Sequence, residues 1–449
     1  MSLAAFVCLL FVTAIGRHHT STVYPVVLEE RSESDALVLQ IHHGLSLKLS
    51  KVSVATEALR LRSNFDGMFT DHIMGLLNPT ERIEPALFER RLISGRIPHV
   101  VQKIQQPLSL ERISEQKLKE ISSRKDVHVN MPDTVPIEVY ILSDESHNRR
   151  FADSDFLVYL CIFMNTIKII FKNLVSPSVE VLLVGVEKSS KNQEYKYTFG
   201  SDKLMNDVTS LHMLAKYVED NLKQYGSPDV VLLLTGRDIY ESTLGGINKN
   251  VAGIAYEGGV CTERRAALAE DNPGAFSGII DAAHELGHSL GASHDGTQPN
   301  TLIPGHPGSQ NCSAKSGRLM TYVDGGHLRY RFSDCNEREI RHVLKERGEQ
   351  CWKINAPKTY SIRGVFPGAI LKAADYCKRL YKSNHVYVSA SYILKINCKI
   401  KCCVRLKSGR HACGLHPMLD HMPCDFRKKC FQGVCTREKD LITYSSKKE

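Results

Sequence analysis

The uneven distribution of cysteine is the feature that most restricts how this chain can fold. Of its 14 cysteines, one lies at position 8, one at position 161 and twelve after residue 260, eight of them between Cys377 and Cys435. Such a density indicates a short terminal segment whose fold depends on disulfide bonds formed in an oxidising compartment. The spacing fits no zinc ribbon. Cys161 lies in the apolar run 160–163, and we expect it to be a buried free thiol.

The first sixteen residues predict a signal peptide. Residues 3–15 are apolar and uncharged, and residues 14–16 are Ala-Ile-Gly, a small-x-small pattern typical of cleavage sites. A membrane anchor is less favoured because the run is too short to span a bilayer. We therefore predict a secreted, extracellular protein.

The next segment differs from the rest of the chain because it lacks cysteine. Residues 17–130 contain short alternations of apolar and polar side chains, as at 36–41, which predict strands. A cysteine-free segment before a disulfide-bonded body is typical of a propeptide. Basic pairs at 90–91, 124–125 and 149–150 compete as the maturation site. The predicted order is a signal peptide at 1–16, a propeptide at 17–130, a main domain at 131–356 and a cysteine-rich module at 357–449.

The main domain alternates between strand and helix patterns. Residue 165 and Lys168 and Lys172 place polar groups at helical spacing in its most apolar stretch, which favours a core helix over a membrane span. The near-continuous apolar run 229–234 predicts a strand buried on both faces, as in a parallel sheet. We therefore predict an α/β fold with a mostly parallel twisted sheet and long helices. The predicted strands are 135–142, 179–186, 229–234 and 252–256, and the predicted helices are 155–174, 202–224 and 275–290.

The third of these helices carries a histidine pattern suited to metal binding. Residues 284–295 are His-Glu-Leu-Gly-His-Ser-Leu-Gly-Ala-Ser-His-Asp. On a helix, His284 and His288 lie one turn apart on the same face and can reach one ion. Gly291 can end the helix with a backbone turn that disfavours a Cβ, which returns His294 towards the same ion.

Three neutral imidazoles leave a zinc ion with an open position for water, which is typical of a catalytic rather than a structural site. Bound zinc lowers the pKa of water and polarises a carbonyl oxygen, and Glu285 can accept the proton of the attacking water. The alternative, surface histidines on an amphipathic helix, does not explain Glu285, Gly291 and His294 together. The prediction is a zinc-dependent endopeptidase with ligands His284, His288 and His294. Whether Ca²⁺ also binds is left open.

At these residues the chain resembles a known family. His-Glu-x-x-His-x-x-Gly-x-x-His is the signature of the metzincins, and Asp295 after it resembles the reprolysin, or adamalysin, branch. The resemblance extends over residues 135–357. It implies a metzincin catalytic domain with zinc in its cleft and with residues 253–261 as the edge strand that pairs with an extended substrate. It also implies that Asp295 is a packing carboxylate rather than a ligand.

The resemblance has further implications for single residues. Metzincins place a methionine turn beneath the zinc, and Met320 in Arg-Leu-Met-Thr-Tyr is the candidate. Adamalysins usually have proline two residues later, where this chain has Tyr322; other metzincins place a tyrosine there that stabilises the oxyanion. Tyr322 is therefore a candidate catalytic residue, with a packed tyrosine on the cleft wall as the alternative. By resemblance, the four cysteines of the domain pair as Cys261–Cys351 and Cys312–Cys335.

The C-terminal module resembles the disintegrin-like module of adamalysin relatives that carry thrombospondin repeats. It lacks Arg-Gly-Asp, so integrin binding is not supported, and the single Trp of the chain excludes a thrombospondin repeat. From residue 357 onward there are 19 Lys and Arg against 6 Asp and Glu, which favours docking of an anionic partner, such as anionic matrix or glycosaminoglycan, as much as simple solubility. We expect neither a nucleic-acid partner nor a membrane span.

Together these features resemble the secreted metalloproteases of tick saliva, which implies fibrinogen, fibrin and matrix proteins as substrates. Residues 9–160 contain no cysteine, so no cysteine of the propeptide can bind the zinc and keep the enzyme inactive. The prediction is a secreted, zymogen-derived zinc metalloendopeptidase that cleaves extracellular proteins. The alternative is a non-catalytic protein that binds through its basic cysteine-rich module.

Overall fold

The computed structural model describes residues 131–437 apart from 244–245, 363, 384 and 407–408. Before residue 131 it describes the backbone of seven strands: β1 (Val26–Arg31), β2 (Ala36–His42), β3 (Leu45–Ser50), β4 (Ala58–Phe65), β5 (Met68–Gly75), β6 (Glu84–Pro85) and β7 (His99–Val100). The predicted signal peptide and the basic pairs at 90–91 and 124–125 lie outside the described residues.

The contacts divide the chain into two compact units, residues 1–57 with 75–132 and residues 58–74 with 133–449. In the first unit, β1, β2 and β3 form an antiparallel sheet with β2 in the middle, and β6 pairs with β7. The strand predicted from the alternation at 36–41 is confirmed as β2.

The second unit is built on a seven-stranded sheet whose strand order is β14-β15-β11-β8-β9-β4-β5. The pairs β15–β11, β11–β8, β8–β9 and β9–β4 are parallel, and β14 runs antiparallel to β15 at one edge. All six residues of β11 are buried, as the continuous apolar run predicts. The described strands are β8 (Thr134–Ser143), β9 (Ser178–Lys188), β11 (Val230–Thr235), β14 (Gly253–Ala255) and β15 (Ala266–Glu270).

Helices pack around this sheet. They are α1 (Glu145–Asn148), α2 (Asp153–Phe171), α3 (Lys191–Glu194), α4 (Asp207–Asp220), α5 (Ile279–Ser289) and α6 (Asp334–Arg347), with 3₁₀ turns at Leu222–Tyr225, Gly326–Tyr330 and Glu349–Cys351. Among the described helices, α2 alone is long and apolar enough to cross a membrane. Most of its residues are buried, and it packs against β9 and α5, as expected of a core helix.

Two predicted helices begin later than the sequence suggests. The helix predicted from 202 begins at 207, because Leu204–Asn206 forms β10 and pairs with β12 (Asp238–Thr243), which also pairs with β13 (Gly246–Asn248). The helix predicted from 275 begins at 279, because Gly274 and Phe276 have φ of +77° and +57° and cannot be part of a right-handed helix. The buried strand β15 was not predicted.

The segment after α5 is joined to the domain by its disulfides. Cys312 bonds to Cys335 in the first turn of α6, and Cys261 bonds to Cys351, so both pairings implied by the resemblance are confirmed. Helix α6 begins with a capping box, in which Ser333 Oγ accepts from the backbone N–H of Asn336 and the Asn336 side chain accepts in return.

The described residues of the C-terminal module form three short helices and two small antiparallel sheets. The helices are α7 (Pro367–Ile370), α8 (Ala373–Tyr381) and α9 (Tyr392–Ile396), and the sheets are β16 (Val386–Val388), β17 (Lys399–Arg405) and β18 (His411–Pro417), followed by β19 (Pro423–Asp425), β20 (Lys428–Phe431) and β21 (Val434–Arg437). Four disulfides connect these elements: Cys377–Cys402, Cys398–Cys430, Cys403–Cys413 and Cys424–Cys435. Cys161 is a buried free thiol, as predicted.

Candidate metal centre and cleft

The three predicted histidines meet at one point at the end of α5. His284 and His288 project from the same face of the helix, with ring centroids 4.7 Å apart. The Nε2 atom of His294 lies 3.0 Å from that of His284 and 3.2 Å from that of His288. Three nitrogens from two turns of helix and one loop therefore surround one small volume.

Hydrogen bonds at the opposite ring nitrogens set the orientation of two of these rings. His284 Nδ1 lies 2.7 Å from the carbonyl oxygen of Leu319, and His288 Nδ1 lies 2.7 Å from that of Ala292. A carbonyl oxygen can only accept, so each Nδ1 carries the proton and each Nε2 presents a lone pair to the centre. Burial lowers the pKa of all three histidines, that of His284 to about 4, which keeps them neutral near pH 7.

This arrangement fits a zinc ion. The Nε2 lone pairs of His284 and His288 both face His294 Nε2, at 3.0 and 3.2 Å. Tetrahedral zinc with bonds of about 2.0–2.1 Å would place its nitrogen ligands about 3.3 Å apart, close to the spacing here. Within the described residues, two further groups of side chains lie close enough together to hold a metal ion. Both contain cysteines, and those cysteines are in disulfides.

The turn that brings His294 to the centre depends on Gly291. Its φ is +100°, and a Cβ at this position would lie 2.3 Å from Val343 Cγ2 of α6. Both the backbone conformation and the close approach of α6 therefore require glycine. The buried His306 supports the same turn: Asn300 N–H donates to its Nδ1, so its Nε2 carries the proton and donates to the Gly291 carbonyl.

The side chain of Glu285 extends from α5 to the edge strand β14. A Cβ on Gly253 of that strand would lie 2.7 Å from Glu285 Oε1, so the carboxylate rests directly against the strand. Its other oxygen, Oε2, is buried and accepts no hydrogen bond from the described residues. Burial, and next the charge of Asp281, raise the pKa of Glu285 well above its usual value. Such a carboxylate is suited to accept and release a proton.

Met320 lies beneath the histidines, as the resemblance implies. It is fully buried, and a Cβ on Gly287 of α5 would lie 2.9 Å from its Sδ. Its carbonyl oxygen accepts from Asp295 N–H, which ties the methionine turn to the residue after the third histidine. The Asp295 carboxylate accepts from Ser333 Oγ at 2.6 Å and Ser316 Oγ at 3.2 Å. Asp295 thus fastens the loop to the start of α6.

Tyr322 lies beside the third histidine at the open side of the cleft. Its hydroxyl oxygen is 3.5 Å from His294 Nδ1, and the two ring centroids are 4.6 Å apart. The residue is 87% exposed, although its ring lies against that of His294.

A buried cluster at the start of α5 was not predicted. Asp271 Oδ2 accepts from His147 Nε2 at 2.9 Å and from the Tyr159 hydroxyl at 2.5 Å, while Oδ1 accepts from Gly278 N–H at 2.9 Å. Gly278 is the N-terminal cap of α5. Ser143 Oγ in turn lies 2.7 Å from His147 Nδ1. The cluster fixes the helix that carries the first two histidines, and only long-range contacts reveal it.

Comparison with known proteins agrees with this geometry. Residues 137–357 match the family described as reprolysin (M12B) family zinc metalloprotease. A Bombyx mori protein named "A disintegrin and metalloproteinase with thrombospondin motifs like" is 26% identical over 300 residues, which cover 63% of this chain and 41% of that protein. The venom metalloproteinase antarease-like of Tityus trivittatus is 27% identical over 318 residues, covering 68% of this chain and 79% of the relative.

A second venom metalloproteinase antarease, from Tityus serrulatus, is 27% identical over 323 residues, covering 69% of this chain and 80% of the relative. The matching family domain coincides with the part of the chain in which the three histidines, Glu285 and the methionine turn meet. This chain carries a zinc metalloprotease domain of the reprolysin branch of the metzincins.

Proposed function

We propose that this chain hydrolyses peptide bonds, with zinc held by His284, His288 and His294. The observation that carries the proposal is the convergence of the three Nε2 atoms, together with a buried oxygen of Glu285 that has no hydrogen-bond partner among the described residues. When bound, zinc supplies a Lewis acid that polarises a carbonyl and makes water more acidic. The carbonyls of Leu319 and Ala292 keep the imidazoles oriented towards the ion.

Glu285 is the proposed general base. Its Oε2 has no described hydrogen-bond partner to compete for a proton, and burial raises the pKa of this carboxyl above its usual value, which favours proton uptake. It would accept a proton from the attacking water and transfer it to the leaving amine. Tyr322 is the proposed stabiliser of the developing oxyanion, because its exposed hydroxyl stands beside His294.

The edge strand β14 is the proposed docking site for the substrate backbone. It pairs with β15 on one side, and no described strand pairs with it on the other. An extended peptide can add there as a further strand, parallel or antiparallel, with main-chain hydrogen bonds that do not depend on sequence. Since Gly253 touches Glu285, a peptide paired with this strand would lie next to the strand that contacts the proposed base.

We further propose that the protein is secreted and cleaves extracellular proteins, with fibrinogen, fibrin and matrix proteins as candidates. Six disulfides support an oxidising compartment, and two similar proteins are named venom metalloproteinases. An anionic matrix partner of the basic module belongs to the same proposal. The similarity to tick salivary enzymes, the domain boundaries and the propeptide's means of inhibition stay predictions.

The test is cleavage of fibrinogen and gelatin by the purified mature chain, beside Glu285→Ala and the matched control Glu346→Ala, an exposed glutamate of α6. The wild type and the control should cleave, and a zinc chelator should abolish both activities. Cleavage that persists in Glu285→Ala would contradict the proposal. Absence of cleavage by every variant, with binding to the same proteins retained, would support the alternative, a non-catalytic binding protein.

A further inference from the structure

A basic pocket lies where the C-terminal module meets the catalytic domain. It has a volume of about 310 Å³ and is lined by Arg150 of the catalytic domain and by Lys378, Arg379, Lys382 and Ser383 of the module. Among the described residues, its lining therefore holds four cationic groups and one hydroxyl, without a carboxylate. Lys378 pairs with Asp375 of its own helix at 3.6 Å. The like charges of Arg150, Arg379 and Lys382 repel one another, so an anion bound among them relieves the repulsion.

A second pocket of about 330 Å³ continues from the first, because Arg150 and Lys382 line both. Arg149 and Lys203 add two more cationic side chains to it. Its two carboxylates are already engaged: Asp202 pairs with Lys191 at 2.8 Å and Asp238 pairs with Lys249 at 3.4 Å. The two pockets form a continuous basic groove, which we define by Arg149, Arg150, Lys203, Lys378, Arg379 and Lys382.

The groove is held in place by the fold. A Cβ on Gly274 would lie 2.1 Å from Arg379 Nη1, so the guanidinium rests on the backbone of the loop before α5. Lys378 and Arg379 lie in the last turn of α8, where the helix dipole favours cations. That effect accounts for the lysine and arginine of α8, but not for Arg149 and Arg150, which face the same groove from another part of the chain.

The chemistry of the groove favours a polyanion that is charged along its length. Its lining consists largely of charged and small polar groups, with Pro273 as the one apolar side chain, so it offers little to the apolar anchors of a peptide. The planar guanidinium group of arginine binds oxyanions through paired hydrogen bonds, and the lysine ammonium group adds a compact positive charge. Two adjoining pockets suit successive anionic groups better than a single small ion.

We infer that this groove binds a sulfated polysaccharide chain. The inference specifies the anionic matrix partner of the proposed function and does not depend on the zinc chemistry. Binding at this junction would hold the enzyme on the extracellular matrix while β14 and the histidines stay open to protein substrates.

The experiment titrates the full mature chain with a heparin dodecasaccharide at 0.15 M NaCl, followed by calorimetry. The groove variant is Arg150→Gln, Lys378→Gln and Lys382→Asn, with asparagine chosen because Lys382 has φ of +50°. The matched control, Lys401→Gln, Arg405→Gln and Arg410→Gln, removes the same charge from exposed positions of β17 and the β17–β18 segment. Unfolding temperatures of both variants show whether each is folded.

The dissociation constant of the groove variant should rise about 100-fold, since each cation beside an anionic surface contributes a factor of about five. The control should change it less than about threefold, and fully desulfated heparin should not bind. Equal losses in both variants would show attraction to net charge alone and overturn the assignment. Preference for a polyglutamate peptide of equal charge, or absence of heparin binding, would also overturn it, whereas the cleavage assay above would be unaffected by either result.

Discussion

Asp271→Asn is the substitution that most sharply tests how the fold supports the metal centre. Every hydrogen bond at this buried carboxylate has Asp271 as acceptor, from His147, Tyr159, Ser277 and the backbone N–H of Gly278. Asparagine has the same shape but offers one accepting oxygen and an amide that only donates. The substitution therefore changes hydrogen bonding with little change in packing.

The expected loss of stability depends on how many of the hydrogen-bond donors around Asp271 the substitution leaves without an acceptor. The asparagine oxygen can still accept from Gly278 N–H, and His147 can change tautomer so that Nε2 accepts from the amide and Nδ1 donates to Ser143 Oγ. The Tyr159 hydroxyl cannot adapt in this way, because it already accepts from Phe276 N–H and would face another donor. An unpaired buried hydroxyl costs about 1–3 kcal/mol, and replacing charge-assisted bonds by neutral ones adds about 1 kcal/mol. Asp271→Asn should therefore lower the free energy of unfolding by about 2–4 kcal/mol.

The assay is urea unfolding of the zinc-loaded chain, with Asp238→Asn as a surface control that should change the free energy of unfolding by less than about 0.5 kcal/mol. Asp271→Asn should also lower kcat more than it raises KM, because Asp271 holds Gly278, the N-terminal cap of α5, and α5 positions two histidines. In a double-mutant cycle with Tyr159→Phe, the double variant should lose at least about 1 kcal/mol less unfolding free energy than the sum of the losses in the two single variants. Wild-type stability for Asp271→Asn, or strict additivity, would refute the reasoning.

Three further predictions concern single side chains. Tyr322→Phe should lower kcat about tenfold or more at unchanged zinc content, since removing an oxyanion donor acts mainly on the transition state; unchanged turnover would refute the role. Gly291→Ala should destabilise the fold by more than about 2 kcal/mol and weaken zinc binding, because its φ is +100° and a Cβ would meet Val343; a zinc titration of the refolded variant checks this. Asp420 is buried, and burial raises its pKa to about 7, so it favours the folded state when protonated; its contribution is full below about pH 4 and is lost as pH rises to about 7. Asp420→Asn should therefore match the wild type in stability at pH 4 and exceed it at pH 8, and parallel stability curves from pH 4 to 8 would contradict this.

The features that the sequence predicts well are local. The histidine spacing, the glycine turn and the apolar runs each depend on a few consecutive residues, and the structure brings the five candidate site residues His284, Glu285, His288, His294 and Tyr322 into one cleft. The disulfide pairings Cys261–Cys351 and Cys312–Cys335 came from family resemblance, because spacing alone permits three arrangements.

The features that were missed depend on distant partners. β15 has the sequence Ala-Ala-Leu-Ala-Glu, whose residues favour helices, yet parallel pairing with β11 and complete burial of its first four residues make it a strand. Asp271 accepts from His147 and Tyr159, which lie more than 110 residues away in the chain, so no local pattern marks it. The late start of α5 follows from positive φ at Phe276, which no sequence rule anticipates.

The most direct test of the central claim measures zinc content and peptide hydrolysis together in Glu285→Gln and His294→Ala. If the histidines hold the metal and Glu285 moves the proton, Glu285→Gln should keep one zinc per chain while kcat falls about 100- to 10,000-fold. His294→Ala should lose both zinc and activity. Undiminished hydrolysis by Glu285→Gln, or full zinc retention by an active His294→Ala, would contradict the account.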